Sequence, residues 1–113
     1  MMRVAIPVCQ GVLSMHFGHC EKFAVMDVDP DMKAIVGSTA LEAPPHEPGL
    51  LPRWLAERGV TLVIAGGMGS RAQQLFSSAG VQVIVGAPSI EPEKVVQGYL
   101  AGDLVTGTNV CDH

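Results

Sequence analysis

The sequence lacks any apolar run long enough to cross a bilayer. MMRVAIPV opens apolar but gives way to Cys-Gln-Gly, too soon for the apolar region of a secretion signal or for a spanning helix. A cytoplasmic protein with no membrane partner is therefore expected. Positive charge is also scarce: the formal net charge is -4, which removes the electrostatic footprint that nucleic acid would require. Cysteines number three, an odd count without an export signal, so a disulfide framework is the poorer reading and free thiols point to metal or redox chemistry. There is no Cys-x-x-Cys pair, and the gaps between Cys9, Cys20 and Cys111 match no common zinc or ferredoxin spacing. Carboxylates are missing from Arg3 to Val8, where a two-metal nuclease would need them on a central strand. Ser14 lies near His16, but no orienting acid follows in a hydrolase arrangement. No internal repeat is present. No isolated amphipathic stripe demands a partner, which leaves the oligomeric state open.

What is present suits one domain over residues 1–113, nearly half of them hydrophobic. Arg3 to Val8 and Phe23 to Val28 read as strands, and Lys33 to Leu41 as a third, joined to the second by a turn at Asp29 to Met32 short enough to enforce a hairpin. EAPPHEPG places three prolines within five positions and forbids regular structure; His46 within it reads as solvated. Helix and strand then alternate: helix Leu50 to Arg58, strand Val60 to Ala65, helix Ser70 to Ala79, strand Val81 to Val85, and helix Glu91 to Ala101. Ser89 is placed to cap that last helix and Gly102 to stop it. Buried strands linked through helices imply parallel pairing. The expected fold is α/β: a mixed five-stranded sheet with an antiparallel meander in front, parallel strands behind, and flanking helices.

Two stretches resist assignment, the loop Cys9 to Glu21 and the tail 103–113, and all three cysteines lie in them. The loop HFGHCEKF holds His16, His19 and Cys20 and leaves the carboxyl end of the first strand, the edge where ligands bind in open α/β sheets. The tail adds Cys111 and His113, whose spacing points both side chains the same way in an extended chain. The last helix would carry the chain back by about 17 Å, while the residues from Gly102 onward span up to about 40 Å, so the tail can return. Thiolate and imidazole suit zinc, copper(I) and iron–sulfur species, and the absence of closed-site spacings favours an open, ligand-accepting site. Each residue has a plainer reading: Cys9 as a small hydrophobe at a strand end, His16 as a loop hydrogen-bonder, Cys111 and His113 as an unordered end. His19 and Cys20, being adjacent, diverge in an extended chain.

VIAGGMGSRA runs from a buried strand through Gly66, Gly67 and Gly69 toward a helix. It matches the dinucleotide fingerprint formally, but Val85-Gly86-Ala87-Pro88 offers no acid for a ribose, which disfavours a nicotinamide cofactor. What remains is an anion cradle made of glycine backbone, helix amides and Arg71, or simply a tight turn that needs glycine. Met68 is soft enough to assist, although packing is its ordinary role.

Taken together, RVAIPV, HFGHCEKF, GGMGSRA and YLAGDL resemble the dinitrogenase iron-molybdenum cofactor biosynthesis family, single-domain proteins similar to NifX and to the carboxyl-terminal part of NifB. The resemblance covers nearly the whole chain. It implies a ribonuclease H-like sheet and a carrier of iron–sulfur or molybdenum–iron–sulfur clusters, with His16 the foremost contact. Where relatives commonly carry Arg and a small residue after His-Phe-Gly, this chain has His19-Cys20, and it ends in Cys111-Asp112-His113. A similar fold is used by the orange protein, which holds a molybdenum–copper sulfide cluster. The expectation is a non-catalytic carrier whose cargo is held by His16 and Cys20, with His19, Cys9, Cys111 and His113 as further donors. Gly67, Met68, Gly69 and Arg71 would stabilise the cluster's charge, and the partners would be cluster donors and acceptors. The alternatives are a zinc-binding or redox-responsive interaction module, or a molybdenum–copper sulfide carrier.

Overall fold

The computed structural model describes residues 2–15, 17, 21–44, 49–104 and 106–107. The first strand, β1 (Met2–Cys9), alternates its side chains: Val4, Ile6 and Val8 enter one core and Ala5 the other. Gln10 and Gly11 both take positive φ (55° and 82°) and turn the chain into β2 (Val12–Leu13), which pairs back with Cys9↔Val12. Two central turn residues at positive φ match the twist of a tight hairpin. Then come β3 (Lys22–Asp29) and β4 (Ala34–Glu42), antiparallel neighbours. Their turn is fixed by Asp29, whose Oδ1 accepts from the amides of Asp31 and Met32 at 3.0 and 3.3 Å.

The second half alternates as expected: α1 (Leu50–Glu57), β5 (Leu62–Ile64), α2 (Ser70–Ser78), β6 (Gln82–Ile84) and α3 (Pro92–Ala101). The sheet order is β4-β3-β1-β5-β6, with β1 parallel to β5, β5 parallel to β6, and β2 attached to β1. The sheet therefore has six strands rather than the expected five. The extra one, β2, fills a gap: β1 is paired with β5 at Val4 and Ala5, and beyond them the Pro7 carbonyl accepts the Ser14 amide at 2.8 Å. Pro7 has no amide to offer a ladder, and it lies where β5 is no longer the partner.

One face of the sheet packs on α3 through Ile6, Met26, Leu62, Val95 and Val96; the other packs on α1 and α2 through Phe23, Leu55, Val63 and Phe76. Ser89 does not cap α3 as expected. Its Oγ donates to the Leu13 carbonyl at 2.7 Å, while the N-cap is Glu91 and Pro92 opens the helix, where its missing amide costs nothing. Gly102 does close α3, at φ 77°.

Candidate functional site

The carboxyl edge of β1 and β5 is built by backbone stitching rather than by long side chains. β2 is held to the segment before α3 by the Leu13 amide, which donates to Ile90 O at 2.9 Å, and the loop after β2 runs over the glycine turn, where Phe17 donates to Gly67 O at 3.0 Å. Gly66 lies directly beneath; a Cβ there would sit 3.0 Å from Met15 Cα and 3.2 Å from both Leu13 Cδ2 and Ser14 O. The glycine at 66 is thus demanded by the approach of the first loop, a reason distinct from both the anion cradle and the tight turn that the sequence suggested. The loop and the glycine turn are in direct contact, their strands β1 and β5 being neighbours.

Phe17 anchors the loop. It is 6% exposed and its ring meets Phe23 at 5.8 Å and Phe76 edge-on at 5.4 Å, an arrangement favoured by aromatic quadrupoles. His16 is its immediate neighbour in sequence. His16, His19, Cys20, Cys111 and His113, and also His46, lie outside the described residues.

Cys9 ends β1 and is half-buried. Burial first, and then the neighbouring Glu21 carboxylate, push its thiol above the ordinary range, and the thiol donates to that carboxylate. Glu21 also accepts from the Gln10 amide at 2.9 Å, and these bonds hold its carboxyl below the usual range. At neutral pH Cys9 is accordingly a thiol rather than the thiolate that binds metals. Among the described residues, no group of three or more His, Cys, Asp or Glu side chains is placed to hold a metal ion.

Gly67 is buried in the turn, Met68 is 1% exposed and packs among the aromatics, and Gly69 is the N-cap of α2 without a side-chain cap bond. The Met68 carbonyl accepts from Gln73 Nε2 at 2.9 Å. Arg71 is exposed in the first turn of α2. The turn therefore offers backbone amides and one cation at a helix start, a setting that attracts negative charge.

Three features went unread in the sequence. The Gln-Gly pair between Val8-Cys9 and Val12-Leu13 was the signal for β2. Glu21 carries no motif. Gly86, at φ 81°, donates its amide to Gly66 O at 2.9 Å and accepts from the Gly107 amide at 2.7 Å; its position just after an apolar strand was the available cue.

Comparison with known proteins agrees with this architecture. The chain is 27% identical over 107 residues to an uncharacterised protein of Methanocaldococcus jannaschii, MJ0580, covering 92% of this chain and 90% of the relative. The crystal structure of PH0822 superposes with a TM-score of 0.87 at 29% identity, covering 96% of each chain. The apo form of the orange protein from Desulfovibrio gigas shares the fold, with a TM-score of 0.74 at 22% identity over 96% of this chain and 95% of that one. The family model described as dinitrogenase iron-molybdenum cofactor matches residues 1–102, and the chain belongs to that family.

Proposed function

We propose that the protein is a non-catalytic, cytoplasmic carrier of an anionic metal–sulfide cluster, of the iron–sulfur or molybdenum-containing class, taken from a donor protein and passed to an acceptor. The observation that carries this reading is the bond from Phe17 to Gly67, with Gly66 packed under Met15. It ties the loop that holds His16, His19 and Cys20 to the turn that offers amides and Arg71. In this reading His16 and Cys20 supply the soft bonds, His19, Cys111 and His113 are the remaining donors, Cys9 joins them only on losing its proton, and Gly69 and Arg71 face the cluster's charge at the start of α2, above the buried Gly67 and Met68. A carrier must release its cargo, so an open edge with few ligands suits it better than a closed tetrahedral site. The order β4-β3-β1-β5-β6, a meander joined to parallel strands, supports the ribonuclease H-like reading of the sheet. No helix among the described residues is long and apolar enough to cross a membrane.

Strictly anaerobic isolation or loading, followed by iron, molybdenum, copper and sulfide analysis with an absorption spectrum, tests the proposal. Charge-transfer bands should appear and be lost in His16→Ala and Cys20→Ala. Oxygen-free protein that stays colourless and takes up no cluster, while binding zinc one-to-one with a sharp rise in Tm, would instead establish the zinc-module alternative.

A further inference from the structure

The sheet order leaves β4 at one end, with no strand among the described residues paired to its outer side, while the opposite end is only the short β6. The alternation of the ladders fixes which of its backbone groups are open. The Arg3 carbonyl accepts from the Thr61 amide at the approach to β5, so Val4, Ile6 and Val8 turn their amides and carbonyls toward β3 instead. They meet Met26, Ala24 and Lys22 there, which leaves Phe23, Val25 and Asp27 to bond β4 through Leu41, Thr39 and Gly37. The Ala43 amide, donated to Glu21 O at 3.2 Å, keeps the same phase. Ser38, Ala40 and Glu42 accordingly aim their amides and carbonyls outward.

Sheet edges are normally guarded by proline, lysine, an inward-pointing charge or a bulge. From Gly37 to Glu42, β4 pairs with β3 residue for residue, holds no proline or lysine, and carries one charge, at Glu42; its irregularity lies before Gly37. Ser38, Thr39, Ala40 and Glu42 are all exposed. Beside the strand runs a groove of about 580 Å³, lined by the buried Val25, the half-buried Leu41 and the exposed Thr39 from the sheet and by Arg58 at the end of α1.

We propose that β4 pairs with β4 of a second copy of this chain, antiparallel and centred on Ala40. The strand's own sequence selects the partner and the register. A two-fold axis through Ala40 sets Ser38 opposite Glu42 of the second copy on both sides of the axis, so each Glu42 carboxylate accepts from a Ser38 hydroxyl and no like charges face each other. Centring on Ser38 or Thr39 would set Glu42 against Ala34 or Val36 instead. Alanine at the axis leaves room for close approach. On the groove face, Leu41 of the second copy stands opposite Thr39 and extends the apolar lining that Val25 and Leu41 begin. Three outward residues, each in a facing pair that exchanges two bonds, give about six new backbone hydrogen bonds. The axis also reverses β1, so the carboxyl edges of the two copies point in opposite directions and both stay open. The pairing does not depend on the carrier reading.

Ala40→Pro removes an outward amide and no bond to β3, and proline is tolerated at such edge positions; Ala40→Ser keeps the amide. Sedimentation equilibrium of full-length, metal-free protein should show wild type and Ala40→Ser as monomer and dimer in exchange. Ala40→Pro should raise the dissociation constant about 30-fold, because two bonds are lost across the axis, while circular dichroism shows the fold retained. In wild type, the amides of Ser38, Ala40 and Glu42 should exchange with solvent more slowly as concentration rises, whereas that of Leu41, bonded to β3, should not respond. A dimer that persists unweakened in Ala40→Pro, or whose three outward amides exchange at one rate at every concentration, uses another surface and overturns the proposal. Should Ala40→Pro fail to fold, the exchange measurement on wild type decides alone. Wild type that stays monomeric up to about 1 mM also overturns the pairing, and leaves the edge to an extended segment of a different protein.

Discussion

Replacing Gly66 by alanine tests whether the glycine turn supports the first loop. The new Cβ would lie 3.0 Å from Met15 Cα and 3.2 Å from Ser14 O, both backbone atoms, and 3.2 Å from Leu13 Cδ2. Because backbone cannot rotate away as a side-chain tip can, the loop must shift. Overpacking of this kind costs about 1–3 kcal/mol, which for a domain of this size lowers Tm by roughly 4–12 °C. Part of that strain is relieved by lifting the loop off the turn, and cluster binding must impose it again, weakening affinity by as much as roughly 5- to 150-fold were all of it reimposed. Gly80→Ala is the control. Gly80 has φ 79° and nothing within 4 Å of an added Cβ, so alanine there costs about 1–2 kcal/mol in backbone strain alone. Thermal unfolding combined with anaerobic cluster titration separates the two effects: both variants should melt earlier, and only Gly66→Ala should bind weakly. Equal cluster affinity in wild type and Gly66→Ala would refute the argument that the turn positions the loop.

Two further outcomes follow from ionisation. Arg3 Nε donates to Asp27 Oδ1 at 2.7 Å and holds that carboxyl below its ordinary range. The resulting stabilisation is full above the unfolded carboxylate value of about 3.9 and fades as pH falls through the lower folded value. Tm against pH should therefore separate wild type from Asp27→Asn above about pH 4 and converge in stronger acid. The gap should be small, since each side chain is 42% exposed; a gap that widens in acid would contradict the assignment. Cys9, with its thiol raised by burial and by Glu21, should alkylate slowly at neutral pH and accelerate only above the ordinary thiol range. Glu21→Gln should move that profile downward, although only in part because burial is the larger cause, and an unchanged profile would remove Glu21 from the account.

The strand-and-helix order was legible because its signals are local. Asp29-Pro30-Asp31 announces a hairpin, apolar runs announce buried strands, and Gly102 announces the end of α3. What escaped depends on distant partners. Ser89 has the chemistry of a cap, yet it serves Leu13, 76 residues away in sequence. Gln10-Gly11 is not one of the usual hairpin dipeptides, so the cue it gave for β2 was weak and went unread until the pairing with β1 was seen. The candidate site was legible in its ingredients, soft donors and glycines, but the contact that joins them, Phe17 to Gly67, spans 50 residues of chain and leaves no local pattern. Met68 was the easier case: packing is the ordinary role of a thioether, and its side chain is packed into the core.

The aromatic series beneath the first loop gives the molecule an optical handle. Phe17 touches Phe23, and Phe23 lies 5.8 Å from Trp54, whose indole is overlaid by the Arg58 guanidinium at 3.9 Å. Trp54 is the only tryptophan in the chain. Its emission therefore originates from a single chromophore two rings away from the residue next to His16, and any rearrangement of that loop is transmitted to a fluorophore that needs no label.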